Sequence, residues 1–309
     1  MMRYILFLFF TLFLQDYKGW SQLPETNIYL FEIQRNPRGM TLSAPRIIGS
    51  KNGYNNQPWF LTDGSGMFYV RSMDTVNTEI FYYDFKKKKS KRITKTKEAE
   101  YSPKLTPDME RISCVRVEKD RTTQHFFSYN KKGKQAFLMQ PGLTSIGYYD
   151  WVNMNEWISF ELPEPFYLVR HKVSPAVTDT LVNRVGRSFY YLKSKNVLVF
   201  VDKSDSLNWR IRMLDKNHLK SPTPSEPERY PVLSDVLPGE EDYCFMQDGS
   251  ILMFHDGAIY KKRNPFKLKD SKWELLWDMK PWGIKKGYRI SLSPDNTRLA
   301  LVVYSGEKP

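Results

Sequence analysis

Six positions in this chain fall at nearly even steps, and each opens the same short pattern. Taking an Asp, or the residue that stands in its place, as a ruler gives 63, 108, 154, 194, 248 and 295, with steps of 45, 46, 40, 54 and 47. Pro103-Lys104-Leu105-Thr106-Pro107-Asp108 leads to Ile112-Ser113-Cys114-Val115, and Ile290-Ser291-Leu292-Ser293-Pro294-Asp295 leads to Leu299-Ala300-Leu301-Val302-Val303. The units at Asp63 and Asp248 carry Asp-Gly in the turn, while those at Met154 and Ser194 keep only the spacing and the strand pattern. A period of about 40–50 residues built from short strands is the signature of a propeller.

An alternating apolar strand follows each turn: 79–84, 124–129, 165–169, 209–214 and 258–260. The unit at Asp295 lacks one, because only a few residues follow its second strand. Its counterpart stands at the other end as Asn27–Ile33, with Ala44–Ile48 behind it as a fourth strand. The chain is therefore expected to be all-β: one six-bladed propeller with four strands per blade, its two terminal regions sharing the closing blade. Closure of that kind removes exposed sheet edges. Loss of either terminal region is then expected to cost far more than trimming a loose tail.

The repeat resembles that of the TolB-like propellers, relatives of the WD-repeat proteins, over essentially the whole of residues 22–309. The resemblance implies an exported propeller that acts through protein contacts. TolB proteins also carry an N-terminal α/β domain, for which residues 22–52 are too few.

Residues 1–21 read as a cleavable export signal. Arg3 precedes an 11-residue apolar run, Tyr4–Leu14, and the small residues Gly19 and Ser21 suit peptidase cleavage after position 21. That run is too short to span a bilayer. Removal leaves 288 residues (309 less 21), or 48 for each of six blades. The expected location is the periplasm or the medium, and the expected state is a monomer.

Nothing in the spacing announces catalysis. The turn aspartates Asp63, Asp108, Asp248 and Asp295 suit type I turns, and blade spacing holds them too far apart to work as an acid–base pair. His125, His171, His218 and His255 show no metal-ligand spacing. There is no nucleophile elbow and no phosphate loop. No catalytic residue, metal or cofactor is expected. Cys114 and Cys244 fall in different blades. An oxidising compartment would permit a disulfide, but the frequency of buried unpaired cysteine favours two packed thiols.

The formal charge is +13. Its clusters, Lys86–Arg92, Lys131–Lys134 and Lys261–Arg263, follow third strands, so they belong to outer hairpins, where lysine discourages edge-to-edge pairing. Lys285-Lys286 is a further basic pair. No aromatic residue interrupts Lys86–Arg92, and this weighs against nucleic acid. An acidic glycan or an anionic membrane surface is the remaining electrostatic partner.

In a propeller the first strand of each blade, strand a, lines the axis, and its side chains alternate. Residues three and five before the ruler are apolar and should pack between blades. Those four before (Trp59, Lys104, Asp150, Tyr190, Cys244, Ser291) and six before (Gln57, Ser102, Tyr148, Ser188, Asp242, Arg289) should face the channel, with Glu100 and Arg187 near one mouth. The candidate ligand site sets Lys104, Arg187 and Arg289 against Glu100, Asp150 and Asp242, with Trp59 and Tyr148 as stacking surfaces. The expected role is a non-enzymatic scaffold for an envelope or periplasmic protein. The alternative is an enzyme or binding protein for an acidic saccharide or peptide at the channel mouth. The missing mouth histidine counts against the enzyme.

Overall fold

A computed structural model describes residues 23–305 apart from 38, 51–52, 75–76 and 216–226. The expected export signal and His218 lie outside the described residues.

Five of the six repeat units each form one antiparallel four-stranded sheet in simple meander order. Blade 1 comprises β4 (Asn55–Phe60), β5 (Gly66–Ser72), β6 (Thr78–Asp84) and β7 (Lys89–Arg92). Blade 2 comprises β8 (Ala99–Leu105), β9 (Arg111–Val117), β10 (Gln124–Asn130) and the two-residue β11 (Phe137–Leu138). Blade 3 runs through β12 (Ile146–Asn153), β13 (Glu156–Glu161), β14 (Tyr167–Lys172) and β15 (Val177–Asn183). Blade 4 runs through β16 (Val185–Leu192), β17 (Val197–Asp202), β18 (Arg210–Leu214) and β19 (Val232–Asp235). Blade 5 has β20 (Tyr243–Phe245), β21 (Ile251–His255), β22 (Ala258–Lys262) and β23 (Trp273–Asp278).

The sixth blade closes the ring as the repeat phasing requires. Its inner strands are β24 (Gly287–Leu292) and β25 (Arg298–Tyr304), and its outer strands are β1 (Thr26–Asn36) and β3 (Arg46–Ile48). β1 pairs with β25 from Thr26↔Tyr304 to Glu32↔Arg298. One further element was not expected. β2 (Gly39–Leu42) folds back on Ile33–Asn36 as a hairpin extending past the blade.

The core is divided rather than continuous. Six apolar clusters sit between consecutive blades, each fed by the facing surfaces of two sheets. The cluster between blades 6 and 1 joins Ile28 and Val302 to Phe60, Met67 and Tyr69. A blade alone would expose both faces, so burial comes only from its neighbours.

The turn aspartates do what their position suggests. Asp63 accepts the Ser65 N–H at 2.9 Å and Asp248 that of Ser250 at 2.8 Å. Asp108 accepts the Thr106 hydroxyl at 2.5 Å, and Asp295 that of Ser293 at 2.6 Å. These bonds favour the charged form, so the Asp63 and Asp108 carboxyls lie below the usual range. Cys114 and Cys244 are both buried and free.

Candidate functional site

The a strands do not run straight. The pairing register of β4 with β5 slips between Asn56 and Trp59, and that of β8 with β9 slips between Tyr101 and Lys104. Gln57 and Ser102 take positive φ, 53° and 54°, and each precedes a proline. Proline has no N–H to give the ladder, so the strand bulges there. Similar slips interrupt β12, β16 and β24. Above each bulge the alternation of faces restarts out of phase.

Below the bulge the expected residues meet. A channel of about 210 Å3 is lined by Gln57, Trp59, Ser102, Lys104, Asp150 and Ser291, among others. Lys104 crosses from blade 2 to blade 3, with its Nζ 2.7 Å from Asp150 Oδ1 and 2.8 Å from the Tyr149 carbonyl. The second oxygen of Asp150 accepts the Tyr191 N–H at 2.7 Å. Trp59 lies parallel to Phe68, with ring centroids 6.2 Å apart. Cys244 does not face the channel; it packs into the cluster between blades 5 and 6, where an apolar thiol is at home.

At the end where the a strands begin, the channel opens into a vestibule of about 430 Å3. Tyr148, Arg187, Asp242 and Arg289 line both spaces and separate them. Arg187 pairs with both Asp242 and Glu241. Arg289 places Nε 3.7 Å from Asp242, donates to Asn56 Oδ1 at 2.9 Å and reaches the Tyr148 hydroxyl at 3.3 Å. Asn56 in turn bonds the Tyr288 hydroxyl. This network ties blades 1, 3, 4, 5 and 6 together across the axis. Burial disfavours the charge on Arg187, but Asp242 and Glu241 outweigh it, and the guanidinium pKa lies above its ordinary value. Lys203 joins the group, 2.9 Å from Glu241 and 3.8 Å from the centre of the Trp209 ring. Tyr54, Tyr288, Tyr304 and Trp209 form an aromatic wall above the charges.

Glu100 departs from expectation. It is fully buried at the interface of blades 1 and 2 rather than at the mouth. The bulge at Ser102 reverses its face. Its carboxyl accepts hydroxyls from Thr96, from Tyr129 at 3.1 Å and from Thr94 at 3.2 Å. Burial, reinforced by nearby Glu79, raises its pKa to about 8. The same reversal brings Tyr288 to the mouth and sets the buried Asn56 beneath it, bonded to Tyr288 and Arg289, where a strict two-residue alternation assigns both to the packing between blades.

None of the described histidines bonds to Arg187 or Arg289; their polar partners lie elsewhere. His125 faces Glu118 at 3.1 Å in blade 2, and His171 is buried, stacked on Trp157 at 5.4 Å. His255 comes nearest, with Nδ1 3.3 Å from Glu240, a residue of the vestibule wall. Among the described residues no group of three His, Cys, Asp or Glu could hold a metal ion, and no helix is long and apolar enough to cross a membrane. Of the basic clusters, Lys262 is not a solvated turn residue. It is buried against Trp273 and paired with Asp235.

The architecture is that of a TolB-like six-bladed β-propeller. Among solved structures, one assigned as TolB from Agrobacterium tumefaciens superposes with a TM-score of 0.64 at 11% identity, covering 91% of this chain and 98% of that one. TolB from Acinetobacter baumannii gives 0.57 at 14% identity, over 92% of this chain and 65% of its own. An oligogalacturonate lyase in complex with manganese gives 0.51 at 10% identity, over 89% and 78%. At such identities the likeness is one of fold. No protein-family model matches the chain, and no curated protein matches it.

Proposed function

We propose that this chain is an exported, non-catalytic propeller that holds a protein partner at the vestibule. The observation that carries the reading is the state of the charges there. Arg187, Arg289 and Lys203 are engaged by Asp242 and Glu241 within the wall itself. A site built this way has spent its cations on its own carboxylates and offers tyrosine and tryptophan surface above them. Aromatic anchors beside a floor whose charges are paired with one another suit a protein segment. Leu207, 89% exposed in the loop between β17 and β18, stands on the same face as a further apolar contact. Export rests on residues 1–21 and on the resemblance to TolB, and implies an envelope or periplasmic partner.

The test is affinity capture from the native envelope fraction. Wild type is compared with Trp209→Ala and Tyr288→Ala at several salt concentrations. A protein retained by wild type and lost from the vestibule variants supports the reading. Retention of no specific protein, or the same set on every variant, overturns it.

A second reading has one observation in its favour, the fold shared with an oligogalacturonate lyase. An acidic saccharide would compete with Asp242 and Glu241 for Arg187 and Arg289, and the His255–Glu240 pair would be the acid–base candidate. Titration with uronate oligomers separates the two readings: binding abolished by Arg187→Met favours the saccharide.

A further inference from the structure

A cavity of about 610 Å3, larger than the vestibule, opens at the opposite face of the ring between blades 1 and 2. Its floor is apolar: Leu61, Phe68, Tyr82, Ile93, Leu105 and Met109 all belong to or pack on the cluster between these blades. Its rim is basic on balance, with Lys87, Lys89, Lys91 and Lys131 against Asp63 and Asp84. The volume falls within the range of about 300–1,000 Å3 typical of ligand sites.

The local structure explains both features. Along β7 the side chains alternate. Ser90 accepts the Tyr69 hydroxyl at 2.9 Å and Arg92 pairs with Glu79 at 2.6 Å on one face. Lys89, Lys91 and Ile93 are left on the other, toward blade 2. The far wall is set by the turn after β10. Gly133 lies so close to blade 1 that a Cβ there would sit 2.0 Å from the Ile93 carbonyl oxygen. That contact brings Lys131 to the rim.

The charge is only partly spent: Lys131 lies near enough to Asp63 to favour its charged form. Lys87 leans toward Asp84 at 3.7 Å, whereas Lys89, Lys91 and Lys131 take part in no ion pair among the described residues. β7 is also the last strand of its sheet, so its outer backbone groups have no strand beside them. Lysines on such an edge repel a second copy of it and accept an acidic strand.

We propose that this groove binds an acidic, extended peptide segment of another protein. An apolar side chain of the segment fills the floor over Phe68 and Leu105. Its carboxylates meet Lys89, Lys91 and Lys131, and its backbone runs along β7. A membrane is the poorer occupant. Phe68 and Leu105 are only 5% and 7% exposed, so a lipid surface would meet the lysines without reaching the floor. The proposal does not depend on the vestibule, which lies on the other face.

The test is fluorescence anisotropy on the folded chain with a short labelled peptide of alternating Glu and Leu. A Lys–Leu peptide and phosphatidylglycerol vesicles serve as comparisons. The Glu–Leu peptide is expected to bind in a salt-sensitive manner. Combined Lys89→Glu, Lys91→Glu and Lys131→Glu should weaken it by at least roughly tenfold. Leu61→Trp, which fills the floor without changing charge, should weaken it as well. Equal binding of both peptides, or undiminished binding to the charge-reversed variant, overturns the proposal. So does vesicle binding without peptide binding, which would make the surface a membrane contact.

Discussion

Asn55 at the head of β4 and Thr26 at the head of β1 hold each other in both directions. The Thr26 hydroxyl donates to the Asn55 carbonyl at 3.0 Å and accepts the Asn55 N–H at 3.2 Å, while the Asn55 amide donates to the Thr26 carbonyl at 2.9 Å. Both residues are fully buried. The outer part of blade 6 and the first strand of blade 1, 29 positions apart in the chain, thus share three hydrogen bonds at one point. Asn55→Leu keeps the volume and removes the amide. It should cost about 2–3 kcal/mol, because it strands buried polar groups. Urea unfolding at neutral pH measures this.

The axial network should behave as a keystone. Arg289→Met leaves Asn56 and Tyr148 without their guanidinium partner and reduces the cations around Asp242. A loss of about 2–4 kcal/mol is expected. Arg289→Lys should recover only part of it, since an ammonium cannot reproduce the fork. Thermal unfolding of the two variants gives the comparison. Equal stability of Met and Lys variants would remove the role given to the fork.

Glu100 makes stability depend on pH in a defined sense. Its folded pKa, about 8, lies above its ordinary value of 4.5. The folded state therefore holds a proton that the unfolded state releases. This contribution is complete below about pH 4.5 and is lost as pH rises through about 8. Glu100→Gln cannot ionise and keeps an oxygen acceptor for the surrounding hydroxyls. The variant should gain on wild type between pH 5 and pH 8, by an amount on the order of a few kcal/mol. Melting temperatures across that interval test the slope, and parallel curves would refute it.

Gly133 is a spacing residue. Its φ of 72° disfavours a Cβ, and its approach to the Ile93 carbonyl leaves no room for one. Gly133→Ala should destabilise by at least about 1 kcal/mol. Alanine at Gly142, where φ is 85° but nothing lies near, is the control for the backbone term alone. A larger loss at position 133 isolates the contact between blades.

The ring was legible because a propeller writes its period into the chain. Asp63, Asp108, Asp248 and Asp295 mark four of the six a–b turns, each accepting a backbone N–H, and in blade 3 the amide oxygen of Asn153 does the same. Closure was legible because an unmatched third strand at one end had its partner at the other. In the lower channel alternation puts Lys104 and Asp150 on the wall but fails at Cys244, which packs between blades 5 and 6. At the upper mouth Tyr148, Arg187, Asp242 and Arg289 line the wall as read, and the reading failed at Glu100, whose face the bulge reverses. Glu100 was lost from the site and Asn56 and Tyr288 were gained for the same reason. The signal was there to read: Gln57-Pro58 and Ser102-Pro103 put a proline where a ladder N–H is required. The β2 hairpin left no comparable trace, for Gly39–Leu42 pairs locally and repeats nowhere else. The groove between blades 1 and 2 was visible only as its lysines. Its floor is assembled from residues some forty positions apart, such as Phe68 and Leu105.

The pairing of Thr26 with Tyr304, continued by the Ser305 N–H donating to the Glu25 carbonyl at 3.0 Å, has a practical meaning. The chain enters and leaves the ring side by side, and Leu23, Pro24 and Tyr304 all stand in the vestibule wall. A tag, tether or fused domain joined at Leu23 or Ser305 is therefore delivered to the same doorway. Immobilisation through a terminus would shade the vestibule and leave the opposite face, with its lysine-rimmed groove, turned outward. Attachment through a peripheral hairpin on that far face would do the reverse.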